Sequence, residues 1–358
     1  MNNSIRFFLP PMAFCLKLLI LVSLALPLHA QSIPKCSKPI VRKEWRTLSV
    51  TERLSYISAV QCLLEKPAIT PKSDMPGATN RFEDFLGTHI TQTEDVHFAG
   101  VFYPWHRLLL HAYESELQAC GYKGAQPYWD WTLDTSSPEA FFNSPIFDAK
   151  TGFGGNGDWI PGNSTHPMDG MFVTSGGIDI PDRTGGGCVP NGPFKDMVIH
   201  LGPNDSVAYN PHCVRRDFSP SFFNLSSMDN VQDGMAATDF GTFGRTTELT
   251  FHGGGHLGVG GLYGTITDAY ASPGDPIFYL HHANMDRAWW SWQTRDLKKR
   301  LEDISGPLVR FDYDNKVAGN ATLDTLIHVG ATVNITTTVR DVMNIKGGRL
   351  CYTYDKVY

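Results

Sequence analysis

Asp275-Pro-Ile-Phe-Tyr-Leu-His-His-Ala-Asn-Met-Asp-Arg-Ala-Trp-Trp-Ser-Trp-Gln293 is an aromatic-rich run with no glycine and no proline after its opening pair. Asp275-Pro276 reads as a helix start: a carboxylate can accept from the first unpaired N–H groups, and proline at the first helical position lacks only a donor that would be unpaired anyway. The stretch therefore predicts a helix. His282 and Asp286 stand four residues apart and share a face, where a carboxylate can orient an imidazole. Taken alone, the same stretch also suits a buried helix whose histidines are satisfied by backbone or carboxylate.

A second pair upstream, in Glu248-Leu-Thr-Phe-His-Gly-Gly-Gly-His256, changes the reading. His252 and His256 are again four apart, so on a helix both rings project to one side, as two ligands of one metal should. The three glycines between them each cost a helix about 1 kcal/mol relative to alanine. Bare backbone between two ligands leaves a floor that a small molecule or a second metal can approach.

A third group lies in Gly87-Thr-His-Ile-Thr-Gln-Thr-Glu-Asp-Val-His-Phe-Ala-Gly-Val-Phe-Tyr-Pro-Trp-His106. On one unbroken helix His97 would face about 180° away from His106. Pro104 predicts the interruption, opening a new helix with His106 in its first turn. His111, five residues further, is turned roughly 140° away and reads as structural. Two trios of histidine with no obvious cysteine or carboxylate to complete them predict two imidazole-bound ions with open positions. Copper, zinc, iron and nickel all suit imidazole, whereas calcium and magnesium would need oxygen ligands. Six neutral ligands leave the metal charge uncompensated, which favours an anion or reduced dioxygen between the ions.

The rest of the chain supplies context. Residues 1–30 read as a secretory signal, with Arg6 and Lys17 before an apolar run that is shorter than the roughly 20 residues of a membrane span. Residues 31–358 then form the core domain, with no later stretch suited to membrane insertion. The net charge of −6 and pI near 6.1 give no basic footprint for nucleic acid. Apart from Cys15 in the signal, six cysteines remain, and an exported chain predicts three disulfides among fifteen possible arrangements. We favour Cys36 with Cys351 and Cys188 with Cys213. Asn163, Asn204, Asn224, Asn320 and Asn334 head glycosylation triplets. Ser49 and Glu52 predict a capping box opening an amphipathic helix. Residues 138–245 lose helical periodicity and are glycine-rich, a long connection that either carries function or is disordered. The basic run at 297–303 reads as the solvated end of the key helix, and the alternating tail at 323–354 as short strands.

His89, His97 and Pro104-Trp-His106, with His252-Gly-Gly-Gly-His256 and Asp275-Pro-Ile-Phe-Tyr-Leu-His-His-Ala-Asn-Met-Asp-Arg287, resemble the two metal signatures of the tyrosinase family of type 3 copper proteins, which includes catechol oxidases and molluscan hemocyanins. The resemblance spans about residues 42–354. It implies a mainly α fold, with a four-helix bundle holding a dinuclear metal centre, long loops and a few short β-strands. It also implies two copper ions, one on His89, His97 and His106 and the other on His252, His256 and His282, with His281 structural. By the same resemblance Glu248 matches a glutamate that holds water near the site, and Phe278 an aromatic gate above the second metal. Read without it, Glu248 is an ordinary helix cap and Phe278 core packing. Tyr352-Thr-Tyr354 resembles the motif that closes the family's core.

Two positions depart from the family pattern. Asp95 stands where many relatives carry the cysteine of a thioether, and Gly253 where monophenol hydroxylases often carry asparagine. The resemblance implies an exported oxidase taking a small aromatic substrate and dioxygen, o-diphenols or o-aminophenols and, less favoured by Gly253, monophenols to o-quinones, in secondary metabolism. The departures keep open a zinc-dependent, redox-neutral rearrangement enzyme of the cyclopenase kind on the same fold. Oxygen transport, as in hemocyanin, is the non-enzymatic alternative.

Overall fold

Asp275 begins the central helix as its sequence predicts: its Oδ1 accepts the Ile277 N–H at 3.1 Å. Both its oxygens also hold the buried guanidinium of Arg216, at 2.8 and 3.0 Å. In the computed structural model, which describes residues 36–161, 180, 182–330, 335–347 and 349–358, every position from 277 to 293 is buried. A helix buried on all sides sits at the centre of its domain.

Among the described residues seven helices have eight or more residues: α1 (Val50–Glu65), α2 (Arg81–Val96), α3 (Phe102–Ala119), α4 (Met228–Met235), α5 (Phe240–Thr247), α6 (Gly253–Gly260) and α7 (Ile277–Thr294). The capping box of α1 forms, Ser49 Oγ accepting from the Glu52 N–H and Glu52 Oε2 from the Ser49 N–H. Asn80 caps α2 through the Glu83 N–H at 3.0 Å. The mainly helical class agrees with expectation. The four helices that carry the histidines, α2, α3, α6 and α7, are unequal, since α6 has 8 residues against 18 in α3 and α7.

Strands are few. β1 (Ile40–Arg42) pairs in parallel with β6 (Tyr352–Tyr354), β2 (Val198–Ile199) antiparallel with β3 (His212–Cys213), and β4 (Leu326–His328) antiparallel with β5 (Thr336–Thr338). Disulfides join Cys36 to Cys351 beside the first pair and Cys188 to Cys213 beside the second, as favoured above, and Cys62 of α1 to Cys120 at the end of α3. Among the described residues no cysteine is left to reach a histidine as a thioether, and Asp95 is exposed.

Three expectations need correction. The segment 138–245 is not devoid of helix: α4 and most of α5 lie in it, each only two turns long and so too short to stand out as a periodic run in the sequence. The key helix does not run on into the basic segment, because a separate turn, Leu297–Arg300, follows a break capped by Asp296. Asp286 does not orient His282. Its Oδ1 accepts from Arg107 Nε at 2.5 Å, and its Oδ2 from Tyr352 and Tyr354 hydroxyls at 2.5 and 2.6 Å and from Arg42 Nη1 at 3.2 Å. Two desolvated guanidinium groups are stronger partners for a carboxylate than a neutral imidazole. The cluster ties β1, α3, α7 and β6 together.

The leader at 1–30, Asn163, Asn334 and residues 162–179 of the glycine-rich segment lie outside the described residues. Among the described residues no helix is long and apolar enough to cross a membrane.

Candidate metal centre

His89 projects from the middle of α2, His97 caps its C-terminus, and His106 is the fifth residue of α3. The reversal that lets the three rings meet falls at 97–101, ahead of Pro104, which is the third residue of α3 and sits in a first turn that requires no donor from it. Phe98 adopts φ 53° there. Gly100 allows the chain to pass, since a Cβ would stand 2.7 Å from the Gly306 carbonyl oxygen.

The second group begins on a single π-helical turn, Glu248–His252, which runs into α6. Such turns occur mostly at functional sites. The three glycines have different reasons. A Cβ on Gly254 would meet Ser226 Oγ at 2.5 Å, and one on Gly255 would meet the His281 ring at 2.1 Å, whereas Gly253 has nothing nearer than 3.9 Å. Packing therefore requires two of them, and Gly253 alone forms bare floor. Gly255→Ala is expected to displace His281 and the rings around it, destabilising the fold by about 1–3 kcal/mol and weakening metal retention. Wild-type stability and metal content in the purified variant would refute this.

The candidate ligand atoms of His89, His97 and His106 lie within 4.8 Å of one another, and so do those of His252, His256, His281 and His282. Five of the six expected ligands donate Nδ1–H to a carbonyl: His89 to Tyr270 at 2.6 Å, His97 to Thr93 at 3.0 Å, His106 to Phe102 at 2.8 Å, His252 to Glu248 at 3.2 Å and His256 to Ile266 at 2.6 Å. That bond fixes the tautomer and turns the Nε2 lone pair inward. Nε2 of His89, His106 and His252 is buried with no hydrogen-bond partner, an expensive state for a polar atom unless an ion takes it up. Burial lowers all six histidines, aided in all but His256 by repulsion from neighbouring rings, His97 to about 3 and His256 to about 4. The rings are neutral, the form in which imidazole binds metal. His106 and His282 stack at 4.3 Å, so the two groups abut. His281 belongs to the same cluster and packs against Trp131 and His252.

A cavity of about 220 Å³ opens onto this centre, bounded by His97, His252 and His256 together with Gly253, Leu257, Glu248 and others. Glu248 is buried, and its Oε1 accepts the Phe98 N–H at 2.7 Å. Burial pushes its carboxyl up to about 8, against the pull of that N–H and of Arg310. Phe278, expected as a gate above the second metal, packs against the ligand rings. It is fully buried, 4.2 Å from the His282 ring and 5.2 Å from His89, and takes no part in the cavity wall. Its place one turn before His282 puts it among the imidazoles as a packing support, and Ala269 stands on the wall instead.

The sequence reading missed Thr93, Ala269 and Arg310 as wall residues, and the loop that braces both groups: Ile266 and Tyr270 carbonyls hold His256 and His89, while Asp268 Oδ1 accepts from the Tyr270 and Ala271 N–H groups. No local motif marks that loop; Asp268, a residue type whose carboxylate bonds backbone N–H groups two residues on, is the faint signal it offers.

Comparison with known proteins agrees with this geometry. Residues 79–295 match the common central domain of tyrosinase. The chain is 34% identical over 350 residues to an N-acetyl-6-hydroxytryptophan oxidase of Emericella nidulans, covering 88% of this chain and 92% of that one. It is 33% identical to tyrosinase P of Aspergillus terreus, covering 90% and 93%. A solved polyphenol oxidase variant from Thermothelomyces thermophila superposes with a TM-score of 0.77 at 36% identity, covering 90% of this chain and 91% of that one. With the inward-turned imidazoles, these matches place the chain in the tyrosinase family.

Proposed function

We propose that this protein is a dicopper oxidase that converts o-diphenols to o-quinones, or o-aminophenols to o-quinone imines. The observation that carries the reading is the pair of adjoining imidazole groups in which five of the six Nδ1 atoms are held by carbonyls and the candidate ligand atoms of each group lie within 4.8 Å of one another. His89, His97 and His106 would hold one ion, and His252, His256 and His282 the other. When bound, copper supplies the site for dioxygen and the electron exchange with the diphenol. Two diphenols give up four electrons and four protons, and one dioxygen takes them to become two waters.

The chain's own contribution is positional. The cavity admits a ring beside His97, His252 and His256 and limits access of bulk water. Glu248, anchored through Oε1, has in its ionised form a second oxygen to accept a phenolic proton. Gly253 offers no side chain to assist it, which supports diphenols over monophenols as substrates. Glu248→Gln is expected to lower kcat about 100-fold, the low end for a general base, with metal content unchanged, because the amide oxygen can still accept the Phe98 N–H. An unaltered kcat would remove Glu248 from this role.

Metal analysis with oxygen uptake tests the whole reading. Two copper ions per chain and uptake on catechols are expected. Zinc with no uptake would favour the redox-neutral rearrangement enzyme, since imidazole suits either metal. We further propose export, with residues 1–30 removed and 31–358 remaining. The three disulfides support passage through an oxidising compartment, and Asn224 and Asn320 are exposed as glycosylation would require.

A further inference from the structure

We infer that the cavity takes o-diphenols carrying a carboxylate on their side chain, with Arg310 as the residue that receives it; this rests on the oxidase reading above. Arg310 is the only lysine or arginine among the described residues of the cavity wall. Its side chain is 13% exposed, and its Nη1 donates to Glu94 Oε2 at 2.5 Å. Glu94 itself is 55% exposed, takes the Tyr270 hydroxyl on its other oxygen, and has no share in the wall. The guanidinium is the permanent positive charge of the wall, which it shares with the Glu248 carboxyl, and Glu94, itself holding Tyr270, pairs with it from outside. A guanidinium fixed in this way matches the planar, two-oxygen geometry of a carboxylate better than any other common anion.

The backbone around Arg310 shows that its placement is maintained against a cost. Phe311 has φ 61° and Phe98 φ 53°, a left-handed conformation that costs an L-residue roughly 1–2 kcal/mol. The two are linked, Phe311 donating its N–H to the Phe98 carbonyl at 3.1 Å and Phe98 its own to Glu248 at 2.7 Å. Their rings stack at 4.3 Å, and Arg310 lies 4.9 Å from one and 5.5 Å from the other. Strained residues persist where surrounding structure over-determines them, and functional sites are where they gather. Here the strain joins the carboxyl that would take the phenolic proton to the cation that would take the substrate's other end. One substrate contacting both must carry its anion away from the diphenol edge.

The copper-loaded full chain should be assayed with 3-(3,4-dihydroxyphenyl)propionate, 4-ethylcatechol and dopamine, which differ chiefly in charge. The expected order of kcat/KM is anion, neutral, cation. In Arg310→Gln the ratio of kcat/KM for the propionate to that for 4-ethylcatechol should fall roughly tenfold, mainly through KM, and Arg310→Lys should recover part of it. Raising ionic strength should lower the ratio in the wild type and leave Arg310→Gln unmoved. A ratio equal in wild type and Arg310→Gln overturns the inference. If no catechol is oxidised, the oxidase reading fails separately, and calorimetric binding of 3-phenylpropionate against 3-phenylpropanol decides: tighter binding of the anion, lost in Arg310→Gln, upholds the assignment, and equal affinities overturn it.

Discussion

His106→Ala should reduce bound copper from two ions per chain to one or none and lower catechol oxidation by more than about 100-fold, beyond what loss of an outer contact to a metal ligand costs. His106 is the ring on which the two groups meet. It stacks on His282 at 4.3 Å and lies 5.1 Å from His97, and the Phe102 carbonyl fixes its Nδ1. Its removal takes one donor from the first trio and the packed surface of the second. Elemental analysis and oxygen uptake check the result, and a cooperative thermal transition would show that the variant is folded. Two tightly held ions in that folded variant would remove His106 from the ligand set.

Asp286→Ala should be the most damaging change away from the metal centre, destabilising by about 3–5 kcal/mol because it leaves buried charges uncompensated. Arg107 would lose its carboxylate and keep only neutral acceptors, Gln293 and the Val342 and Met343 carbonyls, while Arg42 would keep only Glu114 as a counter-charge. Burial alone would raise the Asp286 carboxyl, but Arg107, Arg42 and the two tyrosine hydroxyls outweigh it and hold it below the ordinary carboxylate range. A depressed folded value means that the contribution is complete above the unfolded value near 3.9 and is lost as pH falls through the folded one. The stability difference between wild type and variant should thus be constant above about pH 5 and shrink below about pH 4. Denaturant midpoints across that range measure it. Equal stability at pH 7, or a gap undiminished at the acid end, would contradict the account.

Much of the site was legible because its signals are local. Asp275-Pro276, the Ser49–Glu52 box and the four-residue spacing of His252 and His256 act within one or two helical turns, so the residues that carry the signal are those that make the contact. Where competition came from afar, local reading failed. Asp286 lies one turn from His282, yet its partners Arg107 and Arg42 are 179 and 244 residues away in sequence. Phe278 was assigned to the cavity by resemblance, and packing buries it against the His282 ring.

The amino-acid order by itself determined which histidines face which way on their helices, where those helices begin, and hence that two imidazole groups were available to metal. Only the tertiary structure decided that the groups adjoin, that the 266–270 carbonyls lock one ring from each, and that Arg310 and Ala269 stand on the cavity wall. The physical reason is reach. Helical spacing and capping operate over a few residues, whereas burial and charge pairing select among all groups that packing brings within a few ångströms, whatever their separation along the chain.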